Sequence, residues 1–378
     1  MRILYVGIDS GTSSQRAAAI RRLGHEVLFL DPYSLLPSHP IATQWRWRTG
    51  AFGLIELVRR RSVRSLGEAT FDLAWVDNGE LVGSGLVRDL KARARAVVCY
   101  NSDDPFGPRD GMRWREYLKA VPHYDLLVVV RTPNVEEAYR AGARQVFHVY
   151  RSADEVAHAP RQLAPSEYEQ WRSEVVFVGT AFPERGPFLA ELVRLGVPLT
   201  IYGDRYDRLA EWPSLKSHWR PGNTGTVEGY ANAISAAKVC LGLLSKGNRD
   251  LHTQRSLEIP YLGGVFCAER TEEHSALYKE DWEAVFWSTP EECAAKCAAL
   301  LTDEAWRKSI ASRGRERCLI NPWRNTAVIQ SVLELALNSQ TNAVKLAGIG
   351  ATGQACELPA GLARTSAQAQ RSYVYACL

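Results

Sequence analysis

The sequence predicts two tandem α/β domains, each a Rossmann-like parallel sheet wrapped by helices. Three observations lead there. Short apolar runs of strand length recur from the N-terminus to about residue 150, alternating with helical stretches that stop at glycine. The pattern dissolves into Ala, Pro, Glu and Gln between Arg151 and Arg172, then starts afresh at Glu174. A chain of 378 residues also exceeds the size at which one core keeps growing.

Composition narrows the class. With 46% hydrophobic and 23% charged residues the chain is ordinary globular protein. Its formal charge of +4, 46 basic against 42 acidic residues, makes no case for a nucleic-acid partner. The eight cysteines are scattered with no CxxC pair and no His/Cys metal spacing, so reduced structural thiols and no metal are expected. The start lacks a signal-peptide design and no apolar run approaches membrane-spanning length, so a cytoplasmic protein, at most peripheral at a membrane, is expected.

Taken in order, the first domain (1–155) opens with strand Arg2–Ile8, the loop Asp9–Ser14, a helix ending at Gly24 and strand Glu26–Leu30. The first loop sits where such sheets bind ligands, but it is not GxGxxG, which argues against a dinucleotide. A plain turn with a serine cap is the other reading. In residues 40–65, Gln44-Trp45-Arg46-Trp47-Arg48 alternates aromatic and basic side chains, and Arg59–Arg61 and Arg64 follow. That patch suits anionic lipid or an acidic acceptor; a solvated helix face with Trp packed inward is the commoner arrangement. Strands follow at Phe71–Val76 and Ala94–Tyr100, the latter delivering Asn101-Ser102-Asp103-Asp104-Pro105 to the mouth of the sheet. Either acid can orient or deprotonate a hydroxyl there, or cap the next helix. Strand Asp125–Val130, helix Asn134–Ala141 and strand Gln145–Tyr150 complete the domain, and a linker is expected over 156–172.

The second domain (173–320) begins with strand Glu174–Val178, the loop Gly179–Gly186, a helix to Leu195 and strand Pro198–Tyr202. Arg185 stands at a helix start, a place the helix dipole makes unfavourable for a cation unless an anion is bound. Buried strand Val239–Leu244 feeds the cationic loop Ser245–Asp250 and a helix starting near Thr253, a natural anion site. Strand Gly264–Ala268 and helices Pro290–Leu301 and Asp303–Arg315 follow. A final helix covers 321–338, and 339–378 reads as a disordered tail.

Asp250 and Glu258 have seven residues between them. This resembles the Glu-x7-Glu signature of retaining glycosyltransferases of the GT-B fold, with Asp at the first acidic position. The wording Arg255-Ser-Leu-Glu258-Ile-Pro-Tyr-Leu-Gly263-Gly264-Val-Phe, and Tyr100-Asn-Ser-Asp-Asp-Pro105 in the first half, resembles the CgeB-like (spore-maturation-type) glycosyltransferases. The resemblance implies two facing Rossmann-like domains with a C-terminal crossover helix, and metal-independent sugar transfer from a nucleotide sugar, a UDP-sugar by guess, to a hydroxyl acceptor. No separate cofactor is implied. Catalytic positions would be Asp103, Asp104, Arg185 and Asp250. Donor contacts would come from Gly179, Thr180, Arg185, Lys246, His252, Thr253, Arg255 and Glu258, with Glu258 on the ribose. Acceptor contacts would come from Ser10, Thr12, Ser13 and Asn101. A GT-B-fold epimerase or phosphorylase, or a non-catalytic nucleotide-sugar-binding module, are the competing readings.

Overall fold

Near-continuous apolar runs are what a strand needs when helices cover both of its faces. The runs Leu73–Val76, Val97–Tyr100 and Val175–Phe177 are buried throughout. In the computed structural model, which describes residues 1–36, 39–222 and 224–342, they form the middle of two parallel sheets. The first sheet holds β1 (Arg2–Val6), β2 (Glu26–Leu30), β3 (Phe71–Asp77), β4 (Ala94–Asn101), β5 (Leu126–Val129) and β6 (Val146–His148), in the order β2-β1-β3-β4-β5-β6. The second holds β7 (Ser173–Val178), β8 (Leu199–Tyr202), β9 (Ala237–Gly242), β10 (Phe266–Glu269) and β11 (Val285–Trp287), in the order β11-β10-β9-β7-β8. All pairings are parallel. In each sheet the strand order reverses beside the first strand, and the carboxyl ends next to that switch carry the binding loops.

Alternation along β3 builds two core layers. Ala74 and Val76 join Val97, Leu127 and the helices on one face. Leu73 and Trp75 join Ile3, Tyr5, Val98 and the C-terminal helix on the other. That helix, Asn325–Asn342, returns from the second domain and lays Ile329, Val332, Leu333 and Ala336 on the first sheet. It is the expected crossover helix, begun a little later and continued to Asn342. The rest of the expected tail, 343–378, lies outside the described residues.

The segment expected as a loose linker is partly built in. Ser152, Ala153, Asp154 and His158 are buried, and helix Pro165–Trp171 precedes β7. Ala153 and the chain before the crossover helix exchange backbone bonds, Ala153 N–H to Trp323 O and Asn325 N–H to Ala153 O, both 2.9 Å. Asn325 seals the junction: its Oδ1 accepts from Ser152 Oγ at 2.7 Å and its Nδ2 donates to Asp154 Oδ2 at 3.0 Å.

Helix Ser84–Lys91 and strand β11 escaped the sequence reading, while the helix face offered for residues 40–65 is built as two helices, Pro40–Thr49 and Ile55–Leu66. Three residues of strand carry no period to read. The basic-aromatic stretch is largely neutralised. Arg46 faces Glu80 at 3.3 Å, Arg59 holds Asp89 at 2.6 Å, Arg60 holds Glu56 at 2.9 Å, and Arg61 donates to Leu35 O. Trp45 is half-exposed and gives its Nε1–H to Phe52 O; the side chain of Trp47 lies outside the described residues. Among the described residues no helix is long and apolar enough to cross a membrane.

The second domain also holds a buried polar relay. His274 gives Nδ1–H to Glu269 O at 2.7 Å, so its Nε2 accepts from Ser256 Oγ at 2.8 Å, and Ser256 Oγ accepts from Thr253 N–H. Burial pushes the His274 pKa down to about 4.

Two consequences are measurable. Asn325→Ala strands Ser152 Oγ and weakens the hold on Asp154, and should cost about 1–3 kcal/mol in urea unfolding. His274 is neutral when folded and protonates in the unfolded chain below about pH 6.5, so its contribution is whole above that pH. It should be lost on acidification towards pH 4 at up to about 1.4 kcal/mol per pH unit. His274→Gln should flatten the difference between urea midpoints at neutral and mildly acid pH; an equal slope in both proteins would refute the assignment.

Candidate functional site

The two carboxyl edges face each other, and the loop after β9 is gripped from both sides. Arg131, just past β5, is 3% exposed and places Nη2 2.5 Å from Asp250 Oδ1, while its Nε donates to Asn248 O at 2.8 Å. Arg249 reaches the other way. In the left-handed conformation (φ 53°), it holds Asp104 through Nε and Nη2 at 2.6 and 2.7 Å and Glu137 through Nη1 at 2.8 Å. Arg109 donates to Ser245 Oγ at 2.7 Å, and Gln254 Nε2 to Ser152 O.

Against this frame lies a cavity of about 220 Å³ lined by Arg151, Gly179, Arg185, Asp250, Thr253 and Arg255, among others. Arg185, expected among the donor contacts, is buried at the first turn of helix Arg185–Arg194. It donates to Thr180 O at 2.8 Å, Leu243 O at 3.1 Å and Leu244 O at 3.3 Å, and its guanidinium lies 4.5 Å from the Phe182 ring centre. Among the described residues no carboxylate stands within ion-pair distance of it. Burial, then the charge of Arg255, push its pKa down to about 10. Arg255 opens helix Arg255–Leu262 and lies over the Tyr230 ring at 5.4 Å. Arg151 comes from the first domain. Its Nη2 donates to Ser102 O at 2.8 Å, and its Nε is buried with no partner. Three guanidinium groups thus meet round one cavity whose two acids are Asp103 and Asp250, the latter already paired with Arg131. Such a site is short of negative charge.

Two glycines let the walls close up. A Cβ on Gly203 (φ 134°) would fall 2.1 Å from Gly179 O, and one on Gly179 would meet Phe177 at 2.9 Å. Gly179 O also accepts from Tyr206 Oη at 3.0 Å.

A second cavity, about 380 Å³, adjoins the first through Asp103, Thr180, Phe182 and Asn248; Arg109, Arg113, Asp204 and Arg205 also line it. Asp103 belongs to both. It is one-third exposed, accepts from Asn78 Nδ2 at 2.8 Å and lies 3.7 Å from Arg113 Nη2. A third space of about 750 Å³ lies across the loop, and cations that line it are paired: Lys246 with Glu269 at 2.9 Å, Arg270 with Glu280 at 2.6 Å and Glu292 at 2.7 Å.

Several sequence-predicted residues stand elsewhere than expected. Asp104 is buried; burial alone would raise its carboxyl, but hydrogen bonds from Arg249 and Asn134 outweigh that and hold it low. It fastens the two domains and is not open to an acceptor. Lys246 is turned to Glu269 and away from the arginine cavity. His252 is buried and neutral: Nε2 accepts from Arg151 N–H at 3.0 Å, Nδ1 bonds Glu273 at 2.5 Å, and burial followed by Arg151 push its pKa well down. Thr253 lines the cavity, yet its N–H is given to Ser256 Oγ. Glu258 is 4% exposed, with Oε1 3.3 Å from His158 Nε2. His158 Nδ1 accepts from Asp154 N–H, which leaves the proton on Nε2 to donate to Glu258.

On the first loop, Ser10 is exposed, Ser13 Oγ packs 3.3 Å from Tyr5 Oη, and Thr12 accepts from Arg16. None of the three cavities is lined by them, because β1 lies away from the facing edge formed by β4 to β6. Asn101 shapes its own loop, donating to Asn78 O and accepting from Asp103 N–H, both 2.8 Å. Sequence reading missed Arg131, Arg151 and Arg249. The first two directly follow strands, a position that by itself marks residues near the ligand edge.

Comparison with known proteins agrees with this architecture. The family described as "Glycosyl transferase-like" matches residues 185–334. No curated protein sequence matches significantly. Among solved structures, sucrose-phosphate synthase from Thermosynechococcus elongatus superposes with a TM-score of 0.64 at 12% identity, over 90% of this chain and 99% of that one. HepE from Anabaena, solved in complex with UDP, gives 0.60 at 13% identity over 90% of this chain and 100% of its own. Its complex with UDP-glucose gives 0.61 at 12%, with the same coverage. A trehalose-6-phosphate synthase gives 0.60 at 14%, over 89% and 99%. The chain therefore has the GT-B fold, two facing Rossmann-like domains closed by a returning C-terminal helix, and its second half matches the glycosyl transferase-like family.

Proposed function

We propose that this protein is a glycosyltransferase that moves a sugar from a nucleotide-activated donor to a hydroxyl-bearing acceptor. One observation carries the reading: Arg151, Arg185 and Arg255 surround one cavity, and Arg185 is buried there with no carboxylate among the described residues in ion-pair distance. A nucleoside diphosphate is the leaving group of such a transfer. Its growing charge is what preorganised guanidinium groups stabilise most, and three of them can meet it with no metal needed. The match over 185–334 and the UDP and UDP-glucose held by HepE support a nucleotide sugar, with a UDP-sugar the first choice. Retention of configuration, and closer kinship to CgeB-like enzymes through Arg255–Phe266, are proposed on the resemblance. A separate cofactor has no part in this reading.

Within it, Asp103 takes the acceptor role, as the open carboxylate shared by the arginine cavity and its neighbour. Glu258 remains the proposed ribose ligand, held by His158 so that its carboxylate keeps one orientation. An epimerase would interconvert nucleotide sugars, and a binding module would only raise the melting temperature; a transferase releases nucleoside diphosphate when an acceptor is present.

Calorimetric titration divides the donor roles. Arg185→Ala should weaken nucleoside diphosphate and inorganic pyrophosphate about 10- to 100-fold and nucleoside hardly at all. Glu258→Ala should weaken nucleoside and nucleoside diphosphate alike. Equal affinities in wild type and both variants, with circular dichroism unchanged, would displace the site.

On the acceptor side, Asp103→Asn should lower turnover about 10²–10⁴-fold while leaving nucleotide affinity alone. Asp104→Asn should instead loosen the domain contact by releasing Arg249. Wild-type turnover in Asp103→Asn would remove that residue from the reaction.

A further inference from the structure

Away from the cleft, the second domain contains a group that the transfer reaction leaves unused. Cys267 on β10, and Cys293 and Cys297 one turn apart on helix Pro290–Thr302, bring three Sγ atoms within 4.8 Å of one another. All three are buried among apolar neighbours that include Leu241, Val285 and Leu300. Spacing hid the group, because one member sits on a strand and two on a helix far along the chain.

A buried cysteine ordinarily packs as a small hydrophobe. Here three converge on one point. A central atom ~2.3 Å from each sulfur holds them ~4 Å apart or less, which the 4.8 Å bound on the group admits. Three donors fall short of the four that structural zinc takes, and among the described residues the group has no further His, Cys, Asp or Glu.

Charge selects the occupant. Three thiolates around a divalent ion leave a net negative charge in an apolar core, and a monovalent ion leaves more. The field from outside adds to that cost: Glu292 is the acid that bears on Cys293, its own carboxylate held by Arg270. A trivalent centre gives a neutral complex. We propose that Cys267, Cys293 and Cys297 form a tris-thiolate site for a trivalent, three-coordinate thiophilic centre, of which arsenite is the probe. Arsenous acid loses its three hydroxyls as water, each taking a thiol proton. Three As–S bonds form as three As–O and three S–H bonds break, and arsenic stays trivalent. Occupancy would pin helix Pro290–Thr302 to β10.

Because the sulfurs are buried, the full chain is refolded from denaturant with and without arsenite. Cys356 and Cys377 are changed to Ser so that they cannot chelate. Native mass spectrometry should show one arsenic per chain with three protons lost, and X-ray absorption three sulfur neighbours. Cys297→Ala and, separately, Cys267→Ala should lower arsenite affinity about 100-fold by removing one arm of the chelate. Cys240→Ala, a buried cysteine outside the group, should not change it. No adduct after refolding, an adduct undiminished in both variants, or zinc taken in preference to arsenite would each overturn the assignment.

Discussion

The ion pair between Arg131 and Asp250 sets the electrostatics on which the cleft depends. Both groups are almost fully buried, and each would be costly alone. Paired, they cancel one of the two acids that line the arginine cavity, Asp103 being the other, and fasten the β9 loop to the first domain. Arg151 also pairs with the same carboxylate oxygen at 3.5 Å, so one acid faces two guanidinium groups, and the Arg151 Nε keeps no partner. The cavity is therefore left electropositive, with its dipoles and cations fixed before any ligand arrives. That is the condition under which electrostatic stabilisation of a departing anion is most effective.

Fixing the loop has a cost that other contacts offset. Arg249 adopts a left-handed backbone, an uncommon state for a side chain with a Cβ. Four charge-assisted bonds to Asp104 and Glu137 hold it there. Asp104 is thus a structural acid, although it stands next to the open carboxylate of Asp103. Adjacent residues at the end of β4 point to opposite sides, one into the domain contact and one into the cleft.

The same geometry explains what could be read in the sequence. Strands with near-continuous apolar runs were legible, and so was the local grouping of Gly179 with Arg185, because those residues are neighbours in the chain. The partners of Asp250 and Asp104 were not, since Arg131 and Arg249 meet them across more than a hundred positions. Lys246 and Arg255 are both cations near one loop, and composition alone could not tell that the path of the backbone turns Lys246 to Glu269. The final helix was legible, and its crossing to the first domain only through the family resemblance, while the burial of residues 152–158 depends on Asn325 returning to them.

Arg151 belongs to the first domain, and Arg185 and Arg255 to the second. The arginine cavity is consequently a property of the apposed pair and of neither half. If the domains part, the cavity loses one of its three cations, so only the closed fraction of molecules is competent for tight anion binding. Measured affinity then equals the intrinsic affinity scaled by that fraction. Substitutions at the domain contact, far from any phosphate, would change apparent donor affinity through the closed population alone, and the anion in turn would act as a thermodynamic glue between the two halves.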